Sequence, residues 1–177
     1  GFAYNGVNPD SGKFVCQTLN TIIDGQPILK SIFSIDNIKD KIPEGYVLLR
    51  KLLANRPDSS VIVIAVGPAT NLARLIESSP DNYSKLNGLE LIKKKVKFLS
   101  IMSGTYSNDT FNNPEWNVLQ DLKASKIVYN KWPTEIIASG SEVGVRLLYP
   151  HQSILNDFPD PNKNPLCVSY KMYEKMP

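Results

Sequence analysis

Hydrophobic positions fall into two periodicities along the chain, and their alternation predicts its architecture. Short apolar runs at Val61–Val66 and Val96–Met102 stop abruptly at small or polar residues, and a third short run covers Glu135–Ala138. This is the pattern of parallel strands whose C-terminal ends open into loops. Between the strands the spacing is helical. Val47, Leu48, Leu49, Leu52 and Leu53 define the apolar face of a helix that starts near Pro43 and ends at Asn55-Arg-Pro57. Leu72, Leu75 and Ile76 define a second helix, capped by Thr70 or Asn71. A polar stretch over 78–87 leads to a short helix near Leu89–Lys94, just before the middle strand. A further helix, capped by Asp121, is predicted to bury Leu122, Ile127 and Val128 before Trp132-Pro133 ends it. The fold class that follows is α/β, a mostly parallel open sheet with flanking helices.

The flanks are less regular. Asn8-Pro-Asp-Ser-Gly12 is a turn and cap cluster, predicted to open a helix over about 12–23 that Asp24-Gly25 stops. Residues 26–30 look extended, and 31–42 show no regular pattern. After His151, Pro and Asn are frequent until an amphipathic piece, Leu166–Tyr173. Ligands of open α/β sheets bind outside the carboxyl ends of the strands. Chemistry is therefore expected at the strand tips, around Val66 and Met102.

Composition adds bounds to this picture. With 177 residues, 42% hydrophobic and 21% charged, the chain is expected to form a single α/β domain over 1–177. A net charge of +3 is too small to argue for nucleic acid. The basic cluster Lys93, Lys94, Lys95 and Lys97 has no interleaved aromatics, which fits a solvated helix end. No apolar run approaches membrane-spanning length. Neither nucleic acid nor membrane is thus an expected partner. Cys16 and Cys167 match no metal spacing, and Cys16 sits in the apolar helical pattern with Phe14, Val15, Leu19, Ile22 and Ile23. Cytoplasmic and periplasmic or secreted locations both stay open.

Four segments carry a more specific signal. Ala65-Val-Gly-Pro-Ala-Thr-Asn-Leu-Ala73 has the form x-G-P-[small]-T-N-[apolar]-A, and Ile101-Met-Ser-Gly-Thr105 follows a V-M-G-G-A strand end. Pro114-Glu-Trp-Asn117, with Asp121, Ala124 and Ile127-Val128, follows A-E-F-N … D-P-E-A-A-x-x-V. Thr134-Glu-Ile-Ile-Ala-Ser-Gly140, ending in Ser141-Glu-Val-Gly144, matches the next strand and its tip. In this order, over about residues 43–145, the chain resembles the inosine-uridine preferring nucleoside hydrolase family, in the central part of its domain.

The resemblance implies hydrolysis of the N-glycosidic bond of ribonucleosides by a calcium-bound water, through an oxocarbenium-like transition state. It implies a small-molecule nucleoside or other N-ribosyl compound as partner. Within it, the carbonyl of Val66 corresponds to a metal ligand. Glu115 and Asn117 correspond to a carboxylate and an amide that bond ribose hydroxyls, with Trp116 packed nearby and the Met102 thioether lining the sugar. An Asn of the preceding loop also belongs to this set. Asn108, Asn112 and Asn113 are all candidates, and spacing does not choose among them.

Several features depart from the family pattern. The N-terminal D-x-D-x-x-x-D-D cluster, which supplies the water-activating carboxylate, is absent, so no catalytic residue is identified. Asp157 and Asp160 do not match the family's C-terminal aspartate, His151 lies outside the motifs, and Ser103 replaces a Gly. The chain is accordingly expected to be part of a longer domain, truncated at both ends, and inactive by itself. Calcium is expected in the full-length protein, and none on this segment alone. Exposed sheet edges would favour self-association as a homo-oligomer. The alternative reading is a non-catalytic carbohydrate- or nucleoside-binding α/β module. Base preference is not written in these residues.

Overall fold

A computed structural model describes residues 17–29, 41–107 and 114–173. In chain order its elements are β1 (Ile22–Ile23), β2 (Gln26–Pro27), α1 (Gly45–Ala54), β3 (Val61–Ala65), α2 (Thr70–Ile76), α3 (Gly88–Lys95), β4 (Val96–Met102), α4 (Trp116–Gln120), α5 (Leu122–Lys131), β5 (Glu135–Ser139), α6 (Ser141–Gly144), α7 (His151–Asn156) and α8 (Pro165–Tyr173). Among the described residues they divide between two compact units, one within residues 41–146 and one made of 17–29 with 147–173.

The first unit holds a three-stranded parallel sheet in the order β3-β4-β5. It is the α/β arrangement that the alternating periodicity predicts. Register follows the pleat: Ala65 stands beside Ile101 and Ile101 beside Ala138, so residues of equal rank share a face. On one face Leu99 and Ile101 are buried, with Val63, Ala65, Ile136 and Ala138 packed against the same core. Leu53 of α1, Leu72, Leu75 and Ile76 of α2, Leu91 and Ile92 of α3, and Ala124 and Val128 of α5 complete that core.

The other face differs from expectation. Continuously apolar runs predict strands buried on both sides, yet Ile62, Ile64, Val66 and Ile137 are exposed. The helices of this unit contribute their apolar stripes to the core on the first face, and the second face is left exposed at these four positions. Two helical positions also differ: Leu52 and Leu122 are about half exposed, because each lies on the flank of its helix rather than on the inner stripe.

Local chemistry corrects three boundaries. Neither Thr70 nor Asn71 caps α2; Ala69 occupies that position without a side-chain bond, and the Thr70 hydroxyl instead donates to Asp121 Oδ2 at 2.8 Å. The helix predicted to run to residue 23 ends earlier. Residues 17–19 are helical, and Ile22–Ile23 pairs antiparallel with Gln26–Pro27. Asp24 and Gly25 both have positive φ, 52° and 73°, the backbone of a two-residue type I′ hairpin, which outcompetes helix continuation. The capping box of Asn87 and Glu90 at the start of α3, and α7, are features that periodicity did not reveal. Cys16 and residues 31–40 lie outside the described residues. In the second unit Cys167 is a buried, free thiol that donates to the Ile154 carbonyl.

One buried cation ties the polar stretch after α2 to α1. The Arg50 side chain is almost wholly buried. Its Nε donates to Asp81 Oδ2 at 2.7 Å, Nη1 to Ser78 Oγ, and Nη2 to the carbonyls of Ser84 and Leu86 and to Asp81 Oδ1. The guanidinium holds the Asp81 carboxyl below its usual value of 3.8. A lowered folded pKa means that this contribution is present above about pH 3.8 and lost as pH falls through the lowered value. Asp81→Asn should therefore cost about 3 kcal/mol near neutral pH, since it leaves a buried cation without its counter-charge. Urea unfolding at pH 7 and at pH 3 checks this, and the deficit should shrink at the lower pH.

Candidate functional site at the strand tips

The tips of the parallel strands lie side by side. Ala65 pairs with Ile101 and Met102 with Ser139, which brings Val66 alongside Met102. Val66 is 78% exposed, as the first residue past the β3 ladder. The turn that follows it, Gly67-Pro68, delivers the chain into α2. Thr70 then reaches the Asp121 carboxylate, whose other oxygen accepts from the Ala124 N–H and caps α5. The first and third sequence motifs are thus clasped together by one hydroxyl.

Glu115 and Asn117 gather around the β4 tip. Glu115 is the N-cap of α4. Its Oε1 accepts from the Asn117 N–H at 2.7 Å, and its Oε2 from the Val118 N–H at 3.0 Å and the Gly104 N–H at 3.1 Å. The Asn117 amide donates to the Met102 carbonyl at 3.2 Å and lies 2.9 Å from the Met102 sulfur. Glu115 and Asn117 are only 8% and 9% exposed. Of the sequence-predicted residues, Met102, Glu115 and Asn117 are therefore joined by direct bonds, and Val66 lies next to Met102 by the strand register. Trp116, between them in sequence, is about half exposed. Asn108, Asn112 and Asn113 lie outside the described residues.

The bonding of Glu115 bounds what it can do. A carboxylate has about four lone-pair sites, and three backbone N–H groups engage this one. It can accept one further hydroxyl without losing a protein bond. Two hydroxyls would displace a donor, and Gly104, the longest bond and the one outside the helix, is the one to yield. The side chain thus works both as helix cap and as acceptor, a double duty that the spacing Glu-x-Asn does not disclose.

A second set of residues closes the tip and was not singled out from the sequence. The Ser103 N–H donates to the Ser139 carbonyl and the Ser141 N–H to the Gly104 carbonyl, extending the β4–β5 pairing beyond the sheet. Thr105 Oγ1 and Ser141 Oγ are 2.9 Å apart, and the Tyr106 N–H donates to Glu142 Oε1 at 3.0 Å. The Tyr106 and Tyr129 hydroxyls meet at 3.0 Å. Desolvation, the bond to Tyr129 and the carboxylates of Glu142 and Glu115 push the Tyr106 phenol up to about 12. The quoted Ser-Glu-Val-Gly segment was the available signal, but no chemistry assigned Glu142 a part.

The described residues contain no group of three or more His, Cys, Asp or Glu arranged to hold a metal. Calcium takes about six to eight oxygen ligands, and here Val66 offers one carbonyl beside a carboxylate already engaged by N–H donors. These residues do not by themselves fit a calcium site. A groove of about 1050 Å³ lies on the helical side of the unit, lined by Tyr46, Arg50, Arg74, Asp81 and Tyr83. Both arginines there are ion-paired, Arg50 with Asp81 and Arg74 with Glu44. The groove is walled by helices and the 77–83 segment, not by strand tips.

Two outcomes follow. Glu115→Gln turns an amide NH2 toward a backbone N–H and should lower stability by about 1–3 kcal/mol in thermal unfolding, by leaving at least one buried donor unpaired. Tyr106 should ionise near 12, after unperturbed tyrosines near 10, in an absorbance titration. Because its folded pKa is raised, its contribution to stability is intact below about pH 10 and lost as pH rises through 12.

Comparison with known proteins agrees with the motif order. No curated protein matches the chain. The family model described as inosine-uridine preferring nucleoside hydrolase matches residues 26–165, which include all three parallel strands and the cluster at their tips. By that match the chain belongs to the inosine-uridine preferring nucleoside hydrolase family.

Proposed function

We propose that the β4 tip is the ribose-binding part of an N-ribosyl hydrolase, in which Glu115 and Asn117 contact sugar hydroxyls beside the Met102 thioether. The observation that carries this reading is the convergence of Glu115, Asn117 and Met102 through direct bonds at a strand tip. A buried carboxylate with one acceptor site left, next to an amide, suits a hydroxyl better than a phosphate or carboxylate, which its negative charge would repel.

The chemistry asked of such contacts is specific. Loss of the base leaves a ribosyl group with oxocarbenium character, and hydroxyl bonds to a carboxylate strengthen as positive charge grows on the ring. Glu115 and Asn117 would orient the sugar and favour that state. The Val66 carbonyl, the one position here assigned to a metal, is a single oxygen and does not by itself hold calcium, so no step is assigned to a metal. Water activation lies with carboxylates other than Glu115, whose oxygens are committed to N–H donors.

NMR titration of the chain with D-ribose, inosine and uridine tests the proposal. Ribose should shift the amides of Gly104, Asn117 and Val118, and the change at each of Glu115→Ala and Asn117→Ala should weaken binding at least about tenfold, the value of one hydrogen bond to a charged or buried partner. Shifts confined to other residues, or affinity unchanged in both variants, would overturn it.

A further inference from the structure

Glu142 is the carboxylate that the ribose reading leaves without a role. It lies in α6, just past the β5 tip, and its Oε1 accepts the Tyr106 N–H at 3.0 Å. Its Oε2 is shut off from solvent and has no hydrogen-bond partner among the described residues. The place it occupies is made by a missing side chain: a Cβ on Gly140 would stand 2.2 Å from Oε2 and 2.4 Å from Oε1. Gly140 has φ −78° and ψ 166°, a backbone that any residue adopts. Glycine is thus required there for the carboxylate's space and not for its own conformation.

The segment held by Glu142 leads straight to Glu115. The segment 104–106 is bonded on both sides. On one side the Ser141 N–H donates to the Gly104 carbonyl, the Ser141 hydroxyl meets the Thr105 hydroxyl, and Glu142 accepts the Tyr106 N–H; on the other the Gly104 N–H meets Glu115 Oε2. Gly104 has φ 83°, and a Cβ there would touch the Tyr106 ring at 3.3 Å, so the turn packs directly under the tyrosine. The Glu142 bond is thus one of those that hold the turn presenting the Gly104 N–H.

We propose that Glu142 is a positioning residue for the sugar site: by fixing the Tyr106 peptide it holds Gly104 against Glu115 and sets which Glu115 lone pair faces a ligand. This rests on the reading of Glu115 and Asn117 as ribose contacts. Glu142 touches no ligand itself and acts through Gly104. Its buried second oxygen marks a side chain kept for its geometry, since a carboxylate left in water would keep both oxygens solvated.

The test combines amide hydrogen exchange with ribose titration on the 177-residue chain. Glu142→Ala should speed exchange of the Tyr106 and Gly104 amides at least about tenfold while Leu99 and Ile101 stay protected, and should weaken ribose at least about threefold. Glu142→Gln keeps an oxygen acceptor and should restore both. Gly140→Ala evicts the carboxylate at its flexible end and should reproduce Glu142→Ala, with no further loss in the double variant. Unchanged exchange at Gly104 in Glu142→Ala, or wild-type behaviour of Gly140→Ala, would overturn the positioning role. Absence of ribose binding in the wild type would overturn the ribose reading, while the exchange comparison still decides whether Glu142 governs Gly104.

Discussion

Three backbone N–H groups converge on the Glu115 carboxylate, from Gly104, Asn117 and Val118, and they set the geometry beyond the β4 tip. Hydrogen bonds to an ionised acceptor are about twice as strong as neutral ones, and these are largely removed from water. They close the open end of α4, anchor the turn after β4 and orient Asn117, whose amide returns to Met102. Loss of any one would loosen the others. A sheet of three strands supplies the platform, but the platform alone does not fix where a ligand's hydroxyl would meet an acceptor.

The same economy runs through the neighbouring contacts. Thr70 joins the turn after β3 to the cap of α5, and Ser141 and Glu142 join the turn after β4 to the exit of β5. Thr70, Glu115, Asn117 and Ser141 therefore each bond a residue of another motif. The four segments are thus physically interdependent: several of their side chains are each other's partners. It also separates two roles that a motif conflates, since a side chain can be retained for capping and clasping as well as for ligand contact.

Much of the fold was legible in the chain itself. Strand β4 has the predicted bounds, and β3 and β5 differ from prediction by one residue at their C-terminal ends, because their apolar runs are sharply bounded. The Asp121 cap was legible for the same local reason. What escaped was decided by competition or by distance. Asp24-Gly25 could stop a helix or turn a hairpin, and only the positive φ of both residues settles it. Thr70 had the composition of a cap but a better partner 51 residues away. The residues of the candidate site were named from the motifs, but that Glu115 already serves three donors, and that Glu142 sits in the space of a missing Cβ, are facts of tertiary geometry with no trace in spacing.

The most direct measurement is an experimental structure of the chain with D-ribose bound. The account predicts sugar hydroxyls within hydrogen-bond distance of Glu115 and Asn117, the ring against the Met102 thioether, and the Gly104 N–H either kept on Glu115 or replaced there by a second hydroxyl. Ribose seated elsewhere, for instance in the groove of Tyr46 and Arg74, with Glu115 still bonded only to its three backbone donors, would contradict it.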